Sequence, residues 1–459
     1  MAEHASAIAP PLASSRLIPR LSGLVFLAAV GLLLYRLGEP PSGPRPPEAG
    51  PTYVHDECYQ AFTAHRYALG DPHAWNPYAT REDMASVTRD DMTRWTTYEW
   101  VHPPSAKLVM AGFIRALGFT PTAFRLGSVV LGLLTLALLW RLAIRMRGPA
   151  FGLLALVLLA SDGMWFVFSR VAMNDIYVTG CVTAAMYAAW RFWTGTGRRA
   201  AWLVASGAAF GLGITMKWNA APVFLGMAVL TLGRIVHERV RGTHRGRPFL
   251  ALLAAWGVGF ILAPPLLYLL SYVPYFLAGR GLSDLAGLHD QIWHYHRSLK
   301  AAHSQGSPWW QWPLLTQPVW LFSSPSERGS HVIYALGNPL LWWLFLPSVA
   351  YVAFRYVRHR EPADGLILCG FLGAWLPWAF VGRVAFIQYL LPGVPFGVLA
   401  VATLFQDVAA RWRPKVAGAY ALLCVAAFLH FYPILSAWPV QSQSLAGRRW
   451  FWLDRWRGY

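Results

Sequence analysis

Charge is what this sequence has least of. Asp, Glu, Lys and Arg make up 13% of its 459 residues, where a soluble domain carries about a quarter. So few ionised side chains cannot cover the surface of a soluble protein this long. Acids are rarest, 21 Asp and Glu against 39 Lys and Arg, for a formal net charge of +18. Cysteine is almost absent. Cys58, Cys181, Cys369 and Cys424 show no CxxC or zinc spacing, so neither a disulfide framework nor a metal site is expected. The chain also lacks a P-loop, a nucleophile elbow and an internal repeat. Its one dinucleotide echo, GAAFGLGIT at 207–215, lies inside an apolar run, where close helix packing explains it. No basic block sits on a polar, foldable segment, so no nucleic acid partner is expected.

What is abundant is apolar length. Hydrophobic residues are 56% of the chain, with 24 Trp and 19 Tyr suited to membrane interfaces. Apolar runs near 17–36, 121–140, 149–168, 175–194, 200–216, 219–236, 249–272, 337–356, 364–381, 384–405 and 415–433 predict about eleven transmembrane helices. The fold class is therefore all-α and polytopic, one membrane domain over 1–459. Polar loops at 37–120 and 273–336 and a tail at 434–459 leave it on one side. Arg16 and Arg20 precede the first run, and no small-residue cleavage site follows, so it is expected to remain as a span.

Orientation follows from the short connections. Arg141, Arg145 and Arg147 share one side with Arg191, Arg198 and Arg199; with Arg234, Arg239, Arg241, Arg245 and Arg247; with Arg355, Arg358 and Arg360; and with Arg411, Arg413 and Lys415. The opposite connections hold only Arg170, Lys217 and Arg383. The cation-rich side is read as cytoplasmic together with the N-terminus, so both long loops and the tail are extracytoplasmic, in a cell membrane. Stretch 38–51 is a Pro-rich linker. Residues 281–303 carry Leu285, Leu288, Ile292, Tyr295 and Leu299 at helical spacing, which predicts an amphipathic helix on the outer face. A second, Pro-started, is expected over 102–118.

Polar residues at the outer membrane surface are the candidates for chemistry, because placing them there is costly. Asp56 and Glu57 stand side by side in YVHDECYQAF (53–62). A carboxylate there can take a proton from an attacking hydroxyl; the bland alternative is a solvated loop acid or a helix N-cap. Arg125, Arg170, Lys217 and Arg383 each begin or flank a span, where a cation can hold a lipid-borne phosphate. The alternative is local pairing, Arg170 with Asp175 for instance. His102, His289, His294, His296 and His303 suit hydrogen bonding to a substrate better than metal ligation, since no carboxylate cluster accompanies them.

These motifs, taken in order, resemble the protein O-mannosyltransferase family of GT-C membrane glycosyltransferases. The resemblance covers almost the whole chain: Asp56–Glu57, HPPSAKL (102–108), FRLGSVVLG (124–132), SRVAMNDIY (169–177), GLGITMKWNA (211–220), YHRSLKAAHSQGSPWWQWPL (295–314), GNPLLWW (337–343) and RVAFIQYLLPGVPF (383–396). It implies a GT-C fold and an inverting transfer of mannose from a polyprenyl phosphate to Ser or Thr of translocated proteins. It makes Asp56 the catalytic base with Glu57 in support. Arg125, Arg383 and Lys217 become donor-phosphate ligands. Glu99, His102, Arg170, Asp175, His296, His303 and Gln388 become substrate contacts. No metal or other cofactor is required on this reading. The partners are the bilayer, the lipid-linked donor and a protein acceptor delivered by the secretion translocon. The chain departs from the family pattern in two places: Trp100, with Glu99 before it, stands where an Asp is usual, and Gln388 stands near a usual His. Loop 273–336 is too short for the β-trefoil of eukaryotic members, which implies a prokaryotic type. The rival of the same class moves another sugar, aminoarabinose-like, to a lipid or glycan.

Overall fold

The structure is a computed structural model describing residues 12–40, 53–75, 98–195, 197–242, 246–298, 303–326, 329–412, 415–441, 445 and 449–457. Most of the linker 38–51 and the loop segment 76–97 lie outside the described residues.

In hydrocarbon every backbone N–H and C=O must find its partner within the segment, so the apolar runs become helices. They are α1 (Leu12–Leu34), α2 (Glu57–Ala68), α3 (Ser105–Leu117), α4 (Pro121–Arg147), α5 (Pro149–Ala160), α6 (Gly163–Phe168), α7 (Asn174–Thr194), α8 (Arg199–Met216), α9 (Ala221–Val240), α10 (Arg247–Ser271, with a π-helical turn at Gly257–Leu262), α11 (Leu282–Ser298), α12 (Phe345–His359), α13 (Pro362–Trp375), α14 (Val394–Trp412) and α15 (Lys415–Leu435). Among the described residues, nine helices are long and apolar enough to cross a membrane. The protein is a multi-pass membrane protein.

Two of the expected spans differ from that set. The run 149–168 breaks between α5 and α6 because Asp162 caps α6. One carboxylate oxygen accepts from the Trp165 N–H at 2.8 Å; the other accepts from Trp342 Nε1 at 2.7 Å and Asn338 N at 3.1 Å. A buried carboxylate demands such donors and takes the backbone out of register to reach them. The run 175–194 does form α7, but as a helix buried along nearly its whole length and carrying Asp175, a core element and not a lipid-facing one.

Glycine lets the helices approach. A Cβ at Gly207 on α8 would lie 2.0 Å from the Gly259 carbonyl oxygen on α10, and one at Gly127 on α4 would lie 2.1 Å from the Tyr177 hydroxyl on α7. The 207–215 run is thus a packing seam, as expected.

Both expected amphipathic segments form helices, with Leu299 of the 281–303 stretch outside the described residues. α3 spans 105–117 of the expected 102–118, and α11 buries Leu285, Leu288 and Ile292. The loop 273–336 also holds something the apolar pattern did not announce. A hairpin of β1 (Val319–Ser326) and β2 (Gly329–Ala335) pairs with β3 (Pro439–Val440) in antiparallel order β1-β2-β3. The tail behind it is aromatic, with Trp450 and Trp456 buried. The far end of the bundle is closed by ion pairs: Arg147 and Arg355 both reach Asp407, at 2.9 and 2.6 Å, and both reach Asp364.

Candidate active site

The two adjacent acids have different surroundings. Glu57 is 0% exposed. Its oxygens take Arg125 Nε and Nη2, each at 2.7 Å, the Val54 N–H at 3.1 Å and the Ala172 N–H at 3.0 Å. Arg125 also donates to the carbonyls of Leu37, Glu39 and Pro40. The pair is a bidentate, fully buried tie between the first loop and α4. Arg125, expected to hold a lipid phosphate, is placed with its donors turned to protein acceptors. Arg170 also turns inward, to the carbonyls of Leu32 and Arg36 at 2.6 and 3.0 Å, and not to Asp175.

Asp56 occupies the N-cap position of α2, yet its side chain makes no capping hydrogen bond. The carboxylate is 47% exposed and 3.2 Å from His55 Nδ1. Desolvation by crowding atoms opposes its charge, but His55, then Lys217 and His102, outweigh that, and its pKa lies below the ordinary value.

Beside these residues opens a cavity of about 530 Å³. His102, Lys217, Trp218, Asn219, His296, Arg383 and Tyr389 line its polar part; Pro222, Gly373, Trp378, Phe380 and Val381 line an apolar part between α9 and the C-terminal end of α13. Asp56 is not in the wall itself but lies close enough to feel the charges of Lys217 and His102. Lys217 ends α8, where the backbone extends, and donates to Asp175 Oδ1 at 2.8 Å from 4.5 Å above the Tyr389 ring. One of its three N–H groups is thereby used. Arg383 donates to the Tyr389 hydroxyl at 2.8 Å and pairs with His296 Nδ1, while its Nε has no partner among the described residues. His296 Nε2 is 2.9 Å from the Val101 carbonyl. That carbonyl can only accept, so Nε2 carries the proton and Nδ1 accepts from Arg383. Burial, then His102 and Arg383, hold the His296 pKa down at about 4, which keeps this tautomer neutral.

Glu99 stands three residues before the HPP histidine, His102. It accepts from His102 Nδ1 at 2.6 Å and from Lys107, a residue not singled out in the sequence although it lies within the HPPSAKL motif. Burial opposes its charge, but Lys107 and then His102 hold its pKa at about 2. With Nδ1 committed, His102 keeps Nε2 for other partners. His303 is placed away from the cavity wall, where its Nδ1 accepts from the Gln305 N–H in a turn. Gln388 is buried, and its Oε1 has no partner among the described residues. The same holds for both amide atoms of Asn219 and of Asn174. Tyr389, between Lys217, Arg383 and the stacked Trp378 ring at 4.6 Å, is the residue sequence reasoning passed over beside Gln388. No group of three His, Cys, Asp or Glu fit to hold a metal ion occurs among the described residues.

Comparison with known proteins shows the family and the fold. Residues 101–268 match the family model described as dolichyl-phosphate-mannose-protein mannosyltransferase, and residues 281–456 match the C-terminal four TMM region of protein-O-mannosyltransferase. A polyprenol-phosphate-mannose–protein mannosyltransferase of Mycolicibacterium smegmatis is 27% identical over 428 residues, covering 78% of this chain and 82% of that protein. Among solved structures, the S. cerevisiae protein O-mannosyltransferase Pmt1-Pmt2 complex bound to the sugar donor superposes with a TM-score of 0.77 at 13% identity, covering 96% of this chain and 92% of that one. ArnT from Cupriavidus metallidurans bound to undecaprenyl phosphate gives 0.56 at 16% identity, over 92% of this chain and 71% of that one. The chain belongs to the protein O-mannosyltransferase family, with the GT-C fold.

Proposed function

We propose that the protein transfers mannose from a polyprenyl phosphate to Ser or Thr hydroxyls of protein substrates, with inversion, at the extracytoplasmic face. The observation that carries this is the placement of one open carboxylate, Asp56, beside a cavity holding Lys217 and Arg383. In the mechanism, the apolar wall between α9 and α13 takes the start of the lipid. Lys217 and Arg383 direct their remaining N–H groups at the phosphate. Asp56 removes the acceptor proton as the hydroxyl oxygen bonds to C1, and the C1–O bond to the phosphate breaks. Charge then develops on the phosphate, where preorganised cations stabilise it most. Asn219, in the cavity wall, supplies an unpaired amide for sugar hydroxyls; a buried polar group without a partner costs about 1–3 kcal/mol, and a bound sugar relieves that cost. Glu57 and Arg125 hold the loop, and Glu99 with Lys107 holds His102. Translocating chains emerging from the secretion machinery are the acceptors on this reading.

The lipid-acceptor alternative is disfavoured, since the curated relative spanning most of the chain is named for transfer to protein. The test supplies purified protein with polyprenyl phosphate mannose and either a Ser/Thr peptide or a lipid acceptor. Mannosylated peptide, absent with Asp56→Asn, is expected. Transfer only to lipid, or undiminished transfer by the variant, would refute the proposal.

A further inference from the structure

His55 precedes the acid pair and has an unusual backbone. Its φ is +49°, in the left-handed region that favours glycine and, less strongly, asparagine. The surrounding structure enforces this conformation. The His55 N–H donates to the Leu321 carbonyl of β1 at 3.0 Å, so the hairpin anchors the loop, and the His55 carbonyl accepts from Cys58 Sγ at 3.5 Å. The effect is to bring Nδ1 of a side chain only 18% exposed to 3.2 Å from Asp56 Oδ1. Strained conformations persist where the surrounding structure over-determines them, and they cluster at functional sites. A loop needing only the turn would be served better by glycine.

We infer that His55 is a positioning residue for Asp56, held by the β1 carbonyl so that its imidazole orients the carboxylate and supplies a compensating charge. This inference rests on the proposed role of Asp56. The other titratable groups around the pair are Asp175, Lys217 and His102, with Cys58 and Tyr295 also in electrostatic reach of Asp56. Burial works against a charged His55, but Asp56 outweighs it and raises the His55 pKa above the ordinary value. The 3.2 Å contact is a charge pair and not a hydrogen bond, so it holds Asp56 ionised to lower pH while its oxygens accept a hydrogen bond from the incoming hydroxyl.

Two variants separate imidazole from backbone. His55→Gly relieves the left-handed conformation and removes the ring; His55→Asn tolerates that conformation and keeps a neutral donor. In detergent-purified full-length protein, His55→Gly is expected to match or exceed the wild-type melting temperature. Its kcat should fall about 10- to 100-fold with the donor KM little changed. His55→Asn should recover part of kcat, with the acid limb of its pH profile about one unit or more higher. Wild-type kcat and pH profile in His55→Gly would overturn the inference while leaving the proposed reaction standing. Absence of transfer by the wild type would sink the reaction instead. The pairing is then read without activity, by NMR titration of labelled histidine. The His55 pKa should fall in Asp56→Asn, and an unchanged value overturns the inference.

Discussion

Glu57 is sealed and Asp56 is open, and the two carboxylates should fail differently. Asp56→Asn keeps size and removes the charge; turnover is expected to fall about 10²- to 10⁴-fold, with the melting temperature in detergent nearly unchanged. Glu57→Gln leaves Arg125 charged and buried without its counter-charge, a loss of about 3–5 kcal/mol, so a clear drop in melting temperature is expected. If both variants lose activity at equal stability, the division of roles is wrong. Arg383→Gln removes a cation from the cavity while Lys217 stays, and kcat should fall about 10²- to 10³-fold as single-turnover kinetics would show. Protonation acts on the same scale. Glu99, held at about 2 against an ordinary 4.5, contributes stability present above pH 4.5. That contribution is lost as pH falls toward 2, because the unfolded chain binds the proton first.

α11 is the element that roofs the cavity, and its anchors are histidines. His289 Nε2 meets the Tyr268 hydroxyl at 2.8 Å, and Tyr268 in turn accepts from Trp218 Nε1 at 3.1 Å. His296 ties the other end to Val101 and Arg383. Because the His296 pKa is about 4 in the fold, the unfolded helix takes up protons from about pH 6.5 downward and the docked one does not. Docking should therefore weaken between pH 6.5 and 4. Hydrogen exchange of the α11 amides is expected to speed up across that window in wild type, and less so in His296→Gln. A different element depends on Gly207. Leucine there meets the Gly259 carbonyl of α10, a backbone atom that cannot rotate away, so Gly207→Leu is expected to cost at least about 1–3 kcal/mol, measured as a lowered melting temperature.

For the whole molecule, the testable quantity is which side each end faces. Leu282, at the start of α11, and Val240, at the end of α9, are 72% and 78% exposed at opposite ends of the bundle. On a Cys58→Ser background, a membrane-impermeant maleimide added to intact cells is expected to label Leu282→Cys and not Val240→Cys. The reverse pattern would invert the proposed orientation and with it the face of transfer. The arginines read as marking the inner side do not all remain free: Arg147 and Arg355 clasp Asp364 and Asp407 and bind α4, α12, α13 and α14 together.

Composition and period determined the helical membrane fold, because apolar length with satisfied backbone leaves few alternatives. Motif order likewise pointed to the family before any coordinate. Local pattern could not decide which polar group meets which. Asp56 and Glu57 are adjacent in sequence, but only the packing of α2 on α3, and of α3 on α4, gives one to Arg125 and leaves the other open. Arg125, Arg170, Lys217 and Arg383 look alike as lone cations at span ends. Tertiary structure turns the first two onto carbonyls and a carboxylate, and leaves Lys217 and Arg383 in the cavity wall. The hairpin that strains His55 was equally invisible, since β1 ends in Ser and Pro and breaks its alternation with a register shift at Trp320–Phe322, and its effect travels through one hydrogen bond between residues far apart in sequence. Burial makes such pairings strong, and burial is a property of the assembled chain.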